Sequence, residues 1–97
     1  MNIIWSPLAM DRVSEIADYI AQDNIGASVK WIDELFKEVA QLNKFPESGR
    51  IVPEMDRYNI RELIFGNYRI IYQIRTQEIS ILTVRHFKQI LPSDEFS

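Results

Sequence analysis

No cysteine occurs anywhere in the chain. That absence excludes a disulfide framework, a thiolate nucleophile and a cysteine-ligated metal, and it suits a reducing compartment such as the cytoplasm. Glycine is scarce at 3 residues, proline at 4 and histidine at 1. No glycine-rich phosphate loop, no metal-spaced His/Asp/Glu cluster and no nucleophile elbow can be drawn from so few, so no cofactor and no metal are expected. No apolar run approaches the roughly 20 residues that span a bilayer. The opening Met1-Asn2-Ile3-Ile4-Trp5-Ser6 carries no basic stretch and no long apolar one, so neither a signal peptide nor a membrane partner is expected. A basic excess is also missing, because the net charge is −3 and the isoelectric point about 5.1. Proteins that live on phosphate backbones gain affinity by releasing counterions, and this balance as a whole opposes that class.

What is present is an ordinary globular composition, 46% hydrophobic and 26% charged over 97 residues. Residues 1–97 are read as a single domain with one thin core. The charge is unevenly placed. Residues 1–48 hold eight acids against four bases, whereas residues 49–92 hold seven bases against four acids. Six of those seven bases are arginine: Arg50, Arg57, Arg61, Arg69, Arg75 and Arg85. Arginine grips a carboxylate or phosphate through a planar fork that lysine lacks, so this half is either a binding surface or a solvated sheet face.

Residues 2–5 suit a short buried strand. Ser6-Pro7 reads as an N-cap followed by proline at the first helical position, where its missing N–H costs nothing. Ala9, Val13, Ile16, Ala17 and Ile20 then recur at helical spacing until Asp23-Asn24-Ile25-Gly26 breaks the pattern. A second helix is predicted over about 27–44, with Ile32, Leu35, Phe36, Val39 and Leu42 as its apolar stripe. The short connection implies an antiparallel hairpin of helices. Pro46-Glu47-Ser48-Gly49 closes this half. Strands are predicted over 60–65, 68–75 and 78–87, joined by Gly66-Asn67 and Thr76-Gln77 as tight turns. The expected fold is therefore α+β, a small βααβββ domain with the helical hairpin on one face of a mainly antiparallel sheet. The first strand is expected at one edge, and any site on the partly open opposite face.

The single histidine, His86, has a reference pKa near neutrality and is a candidate general acid or base, though a structural role fits it as well. Simple alternation along 78–87 puts Ile79, Ile81, Thr83, Arg85 and Phe87 on one face. Ser80, Leu82, Val84, His86 and Lys88 then lie on the other, so Arg85 and His86 point opposite ways unless the strand bulges. Metal-free RNA cleavage needs a base for the 2′-hydroxyl, a cation for the phosphorane and an acid for the leaving oxygen. Arg61, Arg69 and Arg85 are candidates for the cation. His86, Tyr68, Tyr72, Glu47 and Glu54 are candidates for acid and base. Arg61 and Glu62 could equally serve in cross-strand ion pairs. Ser6, Ser28, Ser48 and Ser80 have no patterned partner, and Trp5, Trp31 and the five phenylalanines read as core rather than a base-stacking platform.

Taken in order, several short segments are similar to the RelE/ParE superfamily of type II toxins across roughly residues 2–90. They are Trp5-Ser6-Pro7 with Ala9, Ile16-Ala17-Asp18-Tyr19-Ile20, and Gly26-Ala27-Ser28. Further on come Leu42-Asn43-Lys44-Phe45-Pro46-Glu47-Ser48-Gly49-Arg50, Arg61, Tyr68-Arg69-Ile70-Ile71-Tyr72 and Ile81-Leu82-Thr83-Val84-Arg85-His86. The resemblance implies a βααβββ toxin that arrests growth when free and forms a hetero-oligomer with an antitoxin encoded beside it. ParE-like members poison DNA gyrase without nuclease activity; RelE-like members cut mRNA on the ribosome. Pro46-x-x-Gly49-Arg50 and Val84-x-His86 resemble the ParE branch. The lysine-rich stretch of RelE-like enzymes is absent, and Phe87 stands where some nucleases have tyrosine. The ParE reading implies Arg50, Arg61, Arg69 and Arg85 as partner-binding residues. The RelE alternative implies Arg61, Arg69 and His86 as catalytic.

Overall fold

The computed structural model describes residues 1–87. The tail from Leu91 to Ser97 lies outside the described residues, as does Lys88. In chain order the elements are β1 (Asn2–Trp5), α1 (Pro7–Asp23), α2 (Ile25–Ala40), a 3₁₀ turn (Gln41–Asn43), β2 (Arg50–Ile51), β3 (Ile60–Phe65), β4 (Tyr68–Ile74) and β5 (Glu78–His86). The five strands form one sheet in the order β1-β5-β4-β3-β2. β1 lies parallel to β5 and every other pair is antiparallel. The expected α+β layering is what the chain adopts, with β1 at one edge. The two-residue β2 at the other edge was not expected.

Local chemistry explains where the helices begin. The Ser6 side chain accepts from Ala9 N at 3.0 Å, and Pro7 occupies the first turn. Asn24 alone separates the helices. Its backbone N–H donates to Ile20 O, ending α1, while its side-chain oxygen accepts from Ala27 N at 3.0 Å, starting α2. One residue thus does what the sequence assigned to the four-residue break 23–26, and Gly26 lies inside α2. The second helix also stops early, at Ala40, because the chain tightens into the 3₁₀ turn that buries Leu42.

The main core lies between helices and sheet. Ala9, Val13, Leu35, Val39 and Leu42 meet Ile70, Tyr72, Ile79, Ile81 and Val84 there. Trp5 packs on Phe36 with ring centroids 4.8 Å apart, and Trp31 packs on Phe65 and Tyr68. Phe45 departs from the expected role, being 63% exposed. The far face of the sheet carries a smaller cluster, Val52, Ile60 and Ile71 with Met55 and Leu82. It is roofed by the 52–59 connection, so the face expected to be open is partly covered.

Simple alternation fails in β5. Ile71 is opposite Thr83, yet Tyr72 is opposite Ile81, so Leu82 is an extra residue. This β-bulge reverses the phase of the strand. Ile79 and Ile81 face the helices with Val84 and His86; Thr83 and Arg85 face away. The face grouping read from the sequence is corrected accordingly, while Arg85 and His86 still point in opposite directions.

Candidate functional site

The hairpin of β3 and β4 turns through Gly66-Asn67, with Gly66 in the left-handed region at φ 58° and Phe65 opposite Tyr68. That register fixes which side chains share a face. Glu62 stands opposite Ile71 and beside Arg50 of β2, on the far face. Arg69 stands between Ile64 and Arg85 on the same face. Two arginines directly across from one another repel unless carboxylates intervene.

Two carboxylates hold Arg69. Glu62 is 1% exposed, and its Oε1 accepts from Arg69 Nε at 2.5 Å while its Oε2 accepts from Arg50 Nε at 2.5 Å. Glu54, from the 52–59 connection, accepts from Arg69 Nη1 at 2.7 Å and from Nη2 at 2.8 Å. This is the fork-on-fork geometry that makes arginine–carboxylate pairs strong. Each of the three guanidinium nitrogens of Arg69 therefore donates to a carboxylate, which is what a charged side chain only 4% exposed requires. The Glu54 hydrogen bonds, reinforced by Glu62, hold Arg69 protonated beyond even its usual range, against the opposing effect of burial. Arg50 and Arg69 share Glu62, and Arg85 stands opposite Arg69, so arginine is concentrated on this face of an acidic protein.

Arg61 is not part of it. Opposite Tyr72, it lies on the face of the sheet that bears the helices. Its Nη1 donates to Gly49 O at 2.9 Å and to Glu47 O at 3.3 Å, its Nε donates to Tyr58 O at 3.2 Å, and its guanidinium sits 4.9 Å from the Tyr58 ring centroid. The Tyr58 hydroxyl donates to Glu47 at 2.5 Å, and that hydrogen bond raises the phenol pKa. Tyr72 donates to Pro46 O at 2.7 Å and accepts from Gly49 N at 2.9 Å; burial raises its pKa. The cross-strand ion pairs expected here form at Glu62, with Arg69 of β4 and Arg50 of β2, whereas Arg61 on the opposite face donates to backbone carbonyls. His86 is exposed, opposite Tyr68 and edge-on to its ring at 5.9 Å, beside Arg12, Glu15 and Ile16 of α1. Thus Arg50, Arg69 and Arg85 share the far face, whereas Arg61 and His86 lie on the other.

Glu62 had not been singled out as a hub by sequence reasoning, yet the signal was available. A two-residue hairpin turn pairs Phe65 with Tyr68 and so sets Glu62 and Arg69 on one face and Arg61 on the other. Among the described residues no group of three His, Asp or Glu side chains is placed to hold a metal ion.

Against this geometry the comparisons with known proteins are consistent. A family model described as "ParE toxin of type II toxin-antitoxin system, parDE" matches residues 3–91. The chain belongs to the ParE toxin family. A relative from Sinorhizobium fredii (strain NBRC 101917 / NGR234), named "Putative toxin Y4kP", is 34% identical over 93 residues, covering 94% of this chain and 93% of that protein. The fold matches a solved structure titled "Chromosomal ParDE TA system from P. aeruginosa" with a TM-score of 0.76 at 19% identity, over 91% of this chain and 97% of that one. The segments that carried the resemblance acquire a physical meaning in this ParE-family chain. Pro46, Gly49 and Tyr72 are one hydrogen-bonded lock, and Arg50 and Arg69 converge on Glu62.

Proposed function

We propose that this ParE-family toxin acts in the cytoplasm by inhibiting DNA gyrase and is neutralised by a cognate antitoxin in a hetero-oligomer. The observation that carries this reading over RNA cleavage is the dispersal of the candidate catalytic set. A metal-free phosphodiester cleavage needs acid, base and cation around one reacting phosphate. Arg69 lies on the far face, where Glu54 and Glu62 engage it, while Arg61 and His86 lie across the sheet. The net charge of −3 also favours a protein target over a polyanion. On this reading Arg50, Arg69 and Arg85 meet acidic groups of a partner, and Arg61 acts by holding the 47–49 segment.

The test is a paired assay of the purified, antitoxin-free protein on gyrase supercoiling and on translating ribosomes. Loss of supercoiling, or trapped cleaved DNA, with intact message is the expected result. Cut message with untouched gyrase overturns the proposal, establishes the RelE-type alternative, and makes Arg61, Arg69 and His86 the residues to replace next.

A further inference from the structure

The far-face cluster contains a pair that differs from the rest in how it is held. Glu62 sits in the middle of a strand with its side chain wholly buried, and it accepts from Arg69 Nε. Glu54 sits on the connection outside the sheet, with 29% of its side chain exposed, and it accepts from Nη1 and Nη2 by the bonds given above. The backbone around it is anchored by buried Val52 and by Met55 packed on the far-face cluster. A rotation of the Glu54 side chain therefore needs no movement of the sheet.

We propose that Glu54 fills, from within the chain, a carboxylate slot on Arg69 that a glutamate or aspartate of a protein partner takes over when Glu54 swings into solvent. This rests on the reading that the far face receives a protein. The slot has the dimensions of a planar two-oxygen group, since Glu54 engages both nitrogens at near-equal distance. Exchange of one carboxylate for another conserves these bonds, so the balance is set by what else the partner touches. The rim supplies that bias. Arg50, with 58% of its side chain exposed, flanks the slot on one side and Arg85 faces Arg69 on the other. Both favour an incoming anion. The acidity of the whole chain disfavours a nucleic acid as the source of that anion.

Glu54→Ala leaves an acetate-sized gap over an intact Arg69. Thermal unfolding and the side-chain N–H resonances of Arg69 are followed while sodium acetate, sodium chloride or inorganic phosphate is added at matched ionic strength. Acetate at ten times its dissociation constant is expected to raise the folding equilibrium constant of Glu54→Ala by about tenfold and to shift the Arg69 signals. Chloride does neither, and the wild-type protein does not respond. Glu54→Gln, which retains one acceptor, shows the same order with a smaller response and serves if Glu54→Ala does not fold. Equal effects of acetate and chloride overturn the proposal, as does failure of both variants to fold. Phosphate acting far more strongly than acetate also overturns it, and assigns the slot to phosphodiesters. No gyrase, ribosome or antitoxin enters this titration, so its outcome is separate from that of the paired assay.

Discussion

Gly49 lies so close to β3 and β4 that a Cβ there would stand 2.6 Å from the Glu62 carbonyl oxygen and 2.6 Å from the Tyr72 hydroxyl. Backbone on one side and an engaged phenol on the other leave no flexible end to yield. Gly49→Ala is accordingly expected to lower stability by about 1–3 kcal/mol or more, read from urea denaturation. Tyr72→Phe removes the partner of Gly49 N and of Pro46 O in a buried place. A loss of about 1–3 kcal/mol is expected. The pH dependence has a definite sign. Burial holds the Tyr72 phenol above its unfolded value, so its contribution is complete below about pH 10 and is lost as pH rises through the folded pKa. Stability measured at pH 8, 10 and 11 should fall over the last interval, and less steeply in Tyr72→Phe. In the ion cluster, Glu62→Gln breaks a buried network and is expected to cost about 3–5 kcal/mol. Arg50→Ala removes a mostly exposed partner and is expected to cost under about 1 kcal/mol. Equal losses would show that Glu62 is not the hub.

At the level of elements, one side chain joins two devices that the sequence presents separately. The Ser6 hydroxyl caps α1 and also donates to Leu82 O at 2.9 Å, on the bulge of β5. Asn24 caps only α2. Ser6→Ala should therefore cost more, about 1–3 kcal/mol, than Asn24→Ala at about 0.5–2 kcal/mol, by thermal or urea unfolding of the two variants. The helices were legible because caps and apolar spacing are local signals, and Ser6-Pro7 marks a start that nothing distant can shift. The three long strands were legible for the same reason. β2 was not, because two residues carry no periodicity and Arg50–Ile51 pairs only through its partner in β3. The bulge was hidden because Ile79 to Phe87 alternates plausibly in either phase, and only pairing with β4 decides it. The site was half legible. Arginine enrichment pointed to it, but which arginines converge depends on hairpin register and on a connection that carries Glu54 back over the sheet.

For the whole molecule, the division of charge matches a division of labour. The acidic helical half supplies the layer that covers one face of the sheet, and no helix among the described residues is long and apolar enough to cross a membrane. The arginine-rich half puts a cationic cluster on the opposite face. Replacing Arg50 and Arg85 together by alanine should then weaken the toxin–antitoxin complex at least tenfold, measured by calorimetry, with the fold retained. Unchanged affinity would place the antitoxin elsewhere.

The parallel pairing of β1 with β5 has a consequence in time. Ser6 and Leu82 are 76 residues apart in sequence yet share a hydrogen bond. The first strand thus has no sheet partner, and Ser6 no Leu82 acceptor, until nearly the whole described chain has been made. At synthesis rates of about 5–20 residues per second, that interval is roughly 4–15 s. A nascent chain of this topology therefore lacks the tie between the start of α1 and the bulge of β5 until β5 has been made.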